Sequence, residues 1–158
     1  MSLINKVSKS RDLKVWEGEF PVQYLYTCGI AGEVFFREIK DNGKLKGLRC
    51  HQCGKVYVPP SIYCEECFNR LDEWVDVGNQ GHLYSFTQSH LDRVGKRREE
   101  PALLGAVNMD HTEGVLIHRL GEVEFSELKI GMRMEVVFKK PSERKGSILD
   151  ISHFKPLE

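Results

Sequence analysis

Apolar residues recur at near-helical spacing across residues 30–41 (IAGEVFFREIKD), at Ile30, Val34, Phe35 and Ile39, and Asn42-Gly43 follows as a C-cap signal. The pattern predicts one amphipathic helix. Phe36 falls off that stripe and reads either as core or as a contact for a partner. Residues 1–28 show no clear period, and Trp16, Tyr24 and Tyr26 read as packing residues on an irregular or short helical arm. Further along, the period shortens to two. Residues 55–63 (KVYVPPSIY) read as a strand stopped by Pro59-Pro60, and residues 73–77 (EWVDV) alternate like another. Residues 81–90 (GHLYSFTQSH) place Leu83, Ser85 and Thr87 on one side and Tyr84 and Phe86 on the other. Residues 102–109, 115–120, 134–139 and 147–154 complete a set of five strands from Gly81 onward. The longest connection, residues 121–131 (GEVEFSELKIG), falls between the third and fourth strands, where an OB-fold carries its helix. It has room for one helical turn. A split β-sheet or an SH3-like barrel fits the same pattern.

The 158 residues suit one ordinary domain or two small ones, and a hydrophobic content of 41 % supports a buried core. Lysine plus arginine equal aspartate plus glutamate, so the formal net charge is zero. Dedicated duplex-DNA binders carry a basic excess. Residues 1–15 (MSLINKVSKSRDLKV) lack the apolar stretch of a secretory signal, and nowhere does the chain approach a membrane-spanning run. The expected location is therefore the cytoplasm, with no membrane partner.

In a reducing compartment, paired cysteines point to a metal. Cys50-x-x-Cys53 and Cys64-x-x-Cys67 are separated by ten residues. Each C-x-x-C forms a knuckle that turns two sulfurs and nearby amides toward one ion, and Gly54 suits the tight turn after Cys53. The spacing predicts a tetrahedral Zn2+ held by Cys50, Cys53, Cys64 and Cys67, structural because four thiolates leave no open position. Two disulfides or a redox dithiol are the bland alternatives, and the dithiol lacks its βαβ setting. His51, inside the first knuckle, reads as a solvent-facing spacer. The fifth cysteine, Cys28, lies in a mostly apolar run and is expected to be a small buried hydrophobe.

No catalytic motif is present: no nucleophile elbow, P-loop, G-x-G-x-x-G or H-E-x-x-H. His82, His90, His111, His118 and His153 are scattered, and His90 beside Asp92 reads as a surface pair. One basic run stands out. Residues 93–98 (RVGKRR) form a loop between the first two barrel strands, and its four cations suit a grip on phosphates, with Glu99 and Glu100 as the neutralising alternative.

Four stretches, YLYTCGIAGEVFFREI, LKGLRCHQCGKVYVPPSIYCEECF, DEWVDVGNQGHLYSFT and LKIGMRMEVVF, together resemble the zinc-ribbon/OB-fold acyl-CoA-associated proteins. The likeness runs from Trp16 onward. It implies a mainly β fold with N-terminal helices: a helical arm over residues 1–44, a rubredoxin-like zinc ribbon over 45–72 and a five-stranded OB-fold barrel over 73–158. It also implies a non-enzymatic accessory or scaffold subunit for a thiolase-type or other acyl-CoA enzyme, with acyl-CoA or CoA received by the barrel. The metal ligands carry over onto the four cysteines. Arg93, Lys96, Arg97 and Arg98 as CoA-phosphate contacts rest on charge and placement alone. A single-stranded nucleic-acid binder is the competing reading, because OB barrels also bind strands through aromatics and a basic groove. The neutral charge and 9 % aromatic content weigh against it.

Overall fold

The computed structural model describes residues 26–92 and 94–157. The expectations for Trp16, Tyr24 and the rest of residues 1–25, and for Arg93, lie outside the described residues.

Helix α1 spans Gly29–Asn42 and buries Ala31, Phe35 and Ile39, which recur every four residues. The expected stripe is thus turned by one position at its start: Ala31 is inside, and Ile30 is exposed. Phe36 is half-buried and packs edge-on against Phe35, their centroids 5.5 Å apart. The helix stops at Gly43, whose φ of 60° a glycine adopts without a Cβ clash, and the cap N–H reaches back to Glu38 and Ile39 carbonyls. Cys28 is at the N-cap and is exposed, correcting its reading as a buried hydrophobe. The helix buries its apolar stripe one turn further on and leaves the cap position at the surface.

Three short strands build the ribbon. Strands β1 (Lys46–Arg49), β2 (Val56–Tyr57) and β3 (Glu73–Asp76) form one antiparallel sheet in the order β2-β1-β3. Leu48 stands opposite Tyr57 on one side and Trp74 on the other. Residues 73–76, assigned by the pattern to the barrel side of a boundary at 72/73, are thus the third strand of the ribbon sheet. The strand expected ahead of the Pro59-Pro60 stop is Val56–Tyr57.

The remaining five strands are β4 (Gln80–Leu91), β5 (Arg97–Met109), β6 (Leu116–Arg119), β7 (Arg133–Phe138) and β8 (Ile151–Pro156). Their order is β6-β5-β4-β7-β8, antiparallel throughout. A parallel bridge between Leu120 and Phe154, with Gly121 N–H donating to the Phe154 carbonyl at 2.9 Å, joins the two outer strands and closes the barrel. The third-to-fourth connection holds only a 3-10 turn at Phe125–Glu127. Core packing comes partly from outside the barrel strands: Phe35 and Ile39 of α1, Leu45 and Val58 share one cluster with Leu83, Val107, Met134 and Phe154.

A bulge corrects the expected faces of β4. The register shifts between Leu83 and Ser85, so Tyr84 is the extra residue. Leu83 is buried, Tyr84 is exposed, and Phe86 returns to pack against the core and edge-on to Phe125, 5.6 Å away.

His118 on β6 is the one buried side chain with unpaired nitrogen among the described residues. It is 9 % exposed, lies 6.4 Å from the Phe154 ring, and neither ring nitrogen has a hydrogen-bond partner. Burial pushes its pKa below the ordinary 6.5; the backbone of Ile148 and Arg119 opposes this without cancelling it, and the Arg119 charge adds to the lowering. The unfolded chain therefore takes up this proton first as pH falls. Stability is expected to be unaffected by His118 above pH 6.5 and to fall by about 1.4 kcal/mol per pH unit below it, until the folded pKa is reached. Urea midpoints of His118→Phe and the parent at pH 7.5, 6 and 5 check this: the variant should lose less stability on acidification, and parallel profiles would refute it.

Candidate functional site

The two knuckles meet at one point. Cys50 and Cys53 leave the end of β1, while Cys64 and Cys67 belong to a small hairpin held by Leu71 N–H to the Ile62 carbonyl (2.8 Å) and Cys64 N–H to the Asn69 carbonyl (2.9 Å). All four sulfurs lie within 4.8 Å of one another. Cys50 and Cys67 Sγ are 3.4 Å apart, and Cys53 and Cys64 Sγ 3.5 Å. A disulfide needs about 2.05 Å, whereas a tetrahedron with Zn–S bonds of about 2.3 Å has edges near 3.8 Å. The sulfur set therefore fits a metal and not two disulfides.

Neighbouring donors suit thiolates. The amides of Cys53 and Gln52 point at Cys50, and those of Cys67 and Glu66 at Cys64. Tyr57 supplies a donor that the spacing did not reveal: its hydroxyl lies 3.2 Å from Cys64 Sγ and accepts from Glu65 N–H at 3.3 Å. That bond, ahead of the amides, brings the Cys64 thiol down to about 6, and it pushes the Tyr57 phenol up to about 12. Cys64 is completely buried. His51, as expected, faces solvent, and its imidazole pairs with Asp72 at 3.0 Å instead of turning to the sulfurs.

The barrel contributes a second feature. Ser85, Phe86, Thr87, Leu104, Ala106 and Ile117 line a shallow, mainly apolar trough of about 210 Å³ across β4, β5 and β6. Tyr84, expected beside Phe86 and Leu104, is not in it. Ile117, missed in the sequence, is exposed there.

Beyond the trough, β4 and β5 run on as a two-stranded arm. The arm's tip is shaped by Asp92, whose Oδ1 accepts from the amides of Val94 and Lys96, both at 2.9 Å. Asp92 is thus a turn former and not an acid–base partner of His90. The basic run is not all loop, because Arg97 and Arg98 begin β5. Arg98 Nε donates to the Leu91 carbonyl at 3.0 Å. Lys96 and Arg97 are exposed and, among the described residues, form no ion pair with Glu99, Glu100 or any other carboxylate.

Residues 37–73 match the family model for the ChsH2 rubredoxin-like zinc ribbon domain, and residues 74–139 match that for the ChsH2 C-terminal OB-fold domain. The chain belongs to the ChsH2 zinc-ribbon/OB-fold family. The metal of the four-cysteine centre is zinc in a structural role, and Cys50, Cys53, Cys64 and Cys67 would hold it. A DUF35 domain-containing scaffold protein of Methanocaldococcus jannaschii is 28 % identical over 127 residues, 78 % of this chain and 89 % of that one. Benzoylsuccinyl-CoA thiolase subunit BbsA of Thauera aromatica is 34 % identical over 53 residues, 34 % of this chain and 37 % of that one. Among solved structures, a DUF35-family protein of unknown function from Sulfolobus solfataricus superposes with a TM-score of 0.62 at 24 % identity, covering 81 % of this chain and 86 % of that one. No helix among the described residues is long and apolar enough to cross a membrane.

Proposed function

We propose that this protein is a non-catalytic accessory subunit that binds acyl-CoA on its barrel and serves as a scaffold for a thiolase-type or other acyl-CoA enzyme. The observation that carries the reading is the pairing of an apolar trough at Leu104, Ala106 and Ile117 with uncompensated cations, Lys96 and Arg97, at the far end of β4 and β5. From Leu104 to Arg97 the strand covers at most about 23 Å, at roughly 3.3 Å per residue. A ligand that satisfies both ends is therefore long, anionic at one end and apolar at the other. Acyl-CoA has that form: a phosphate-rich nucleotide head and a pantetheine arm. The scaffold relatives and the thiolase subunit BbsA support the accessory role. A four-thiolate zinc has no vacant coordination position for a substrate. Arg93 belongs to the same basic run and is proposed with Lys96, Arg97 and Arg98, the last with part of its donor capacity already used by Leu91.

Acetyl-CoA at a hundredfold excess over its Kd should raise stability by about 2.7 kcal/mol, and 3′-dephospho-CoA should do less. Paired charge reversals Lys96→Glu and Arg97→Glu should weaken CoA binding at least tenfold without shifting the melting temperature of the free protein. Thermal shifts with both ligands, alone and with the catalytic partner, check this. No stabilisation in either setting would overturn CoA binding. Tight, steeply salt-dependent binding of a single-stranded oligonucleotide would favour the competing reading instead.

A further inference from the structure

The two zinc knuckles have the same backbone but different residues at the same place. Gly54 follows Cys53, has φ of 75°, and donates its N–H to the Cys50 carbonyl at 2.8 Å. Phe68 follows Cys67, has φ of 57°, and donates to the Cys64 carbonyl at 3.0 Å. Left-handed backbone suits glycine and strains a bulky side chain. Phe68 is 80 % exposed, so no packing among the described residues offsets that strain. Strain held in place around an exposed aromatic marks a residue kept for a contact outside the chain.

The surroundings define that contact. Exposed Ile62 and Tyr63 are carried on the same hairpin as Phe68. Most of the neighbouring charged side chains already have partners: Glu66 pairs with Lys55 at 2.6 Å and Glu73 with Arg49 at 3.1 Å, while Asp72 lies 3.0 Å from the His51 imidazole. Glu65 and Arg70 are the exceptions, exposed and without an ion pair among the described residues. The hairpin thus presents an aromatic knob flanked by one free carboxylate and one free guanidinium. An anionic lipid surface is a poor match, because the unpaired Glu65 repels it and no cation cluster accompanies Phe68 among the described residues. The complementary surface is that of a folded protein, with an apolar pocket bordered by a base and an acid.

We propose that Phe68 is the anchor by which the zinc ribbon docks a partner protein, its ring entering an apolar pocket while Glu65 and Arg70 pair with charges on the rim. Resting on the accessory reading above, the partner is the acyl-CoA enzyme that the protein serves.

Phe68→Gly separates docking from folding, because glycine relieves the backbone. Tagged parent, Phe68→Gly and Phe68→Tyr are purified from the cell of origin, and the acyl-CoA enzyme that co-elutes is identified and quantified by mass spectrometry, with zinc content and melting temperature measured alongside. The expected result is one zinc per chain in all three, an equal or higher melting temperature for Phe68→Gly, and at least a tenfold loss of the co-eluting enzyme. Phe68→Tyr should stay within about twofold of the parent. Undiminished enzyme on Phe68→Gly overturns the anchor and leaves the accessory reading standing. A Phe68→Gly chain that loses zinc or melts lower also overturns it, because Phe68 is then structural. Parent protein that retains no acyl-CoA enzyme overturns the accessory reading and, with it, this partner.

Discussion

Cys64→Ser is expected to unfold the ribbon at any zinc concentration the cell supplies, and chelation of zinc from the parent should do the same. The segment from β1 to β3 has few large side chains to hold it. In its own cluster the buried large side chains are Leu48, Tyr57 and Leu71, with Trp74 half-buried against them, while Val58 packs into the barrel core. Burying each contributes about 1.5–3 kcal/mol, while a structural zinc contributes on the order of 10 kcal/mol or more. The metal therefore contributes at least as much as these side chains together, and the element does not keep its fold without it. Cys64 is the most damaging ligand to lose, because it is fully buried and is the sulfur that Tyr57 hydrogen-bonds. Hydrogen exchange resolved to residues 46–76, with elemental analysis of the same samples, reads the effect directly. Wild-type protection of this segment in metal-free Cys64→Ser protein would refute it.

The metal centre was readable from sequence because four cysteines at knuckle spacing admit few other chemistries, and because Gly54 marks the first turn. The second turn hid itself: Phe68 occupies the left-handed position where a glycine would have announced it. Tyr57 was equally silent, since a tyrosine in a short strand reads as packing until the fold brings its hydroxyl to a sulfur seven residues away. The five barrel strands followed from their period, but their faces did not. One bulge at Tyr84 moved Phe86 to the side of Leu83, and alternation counted along the chain cannot register an inserted residue. The same limit applied to β5. Arg97–Pro101 carry charges and a proline that argue for a loop, yet pairing with β4 draws Arg97 into the strand. Helix α1 was predicted within a residue at each end, whereas its buried stripe depended on where the barrel lay. Cys28 and Ile30 fell on the open side, a fact set by tertiary packing and absent from the local pattern.

Asp150→Ala is expected to cost about 2–4 kcal/mol, a large effect for a residue remote from the metal. The carboxylate is 2 % exposed and sits inside a nest of backbone donors. Lys145 N–H lies 2.9 Å from each oxygen, Gly146 N–H 2.6 Å and Ser147 N–H 3.2 Å from Oδ2. Hydrogen bonds to a charged group contribute about 1.5–3 kcal/mol each, and orphaned buried donors add a desolvation cost. The nest also shapes the approach to β8. Lys139 N–H donates to the Asp150 carbonyl at 2.8 Å, and the next residue, Ile151, starts the strand that brings Phe154 to the barrel seam. Burial raises the Asp150 pKa, but the amides of Lys145, Gly146 and Ser147 outweigh it and hold the carboxyl below its usual value. A depressed folded pKa gives stability that is complete above the unfolded value of 3.8 and is lost as pH falls through the folded one. Asp150→Ala should therefore lower the urea midpoint at pH 7 without changing the slope, and the difference from the parent should shrink toward pH 2. Asp150→Asn, which keeps one acceptor oxygen and loses the charge, should fall between them. An Asp150→Ala midpoint within about 0.5 kcal/mol of the parent at pH 7 would show that the loop holds β8 without its carboxylate.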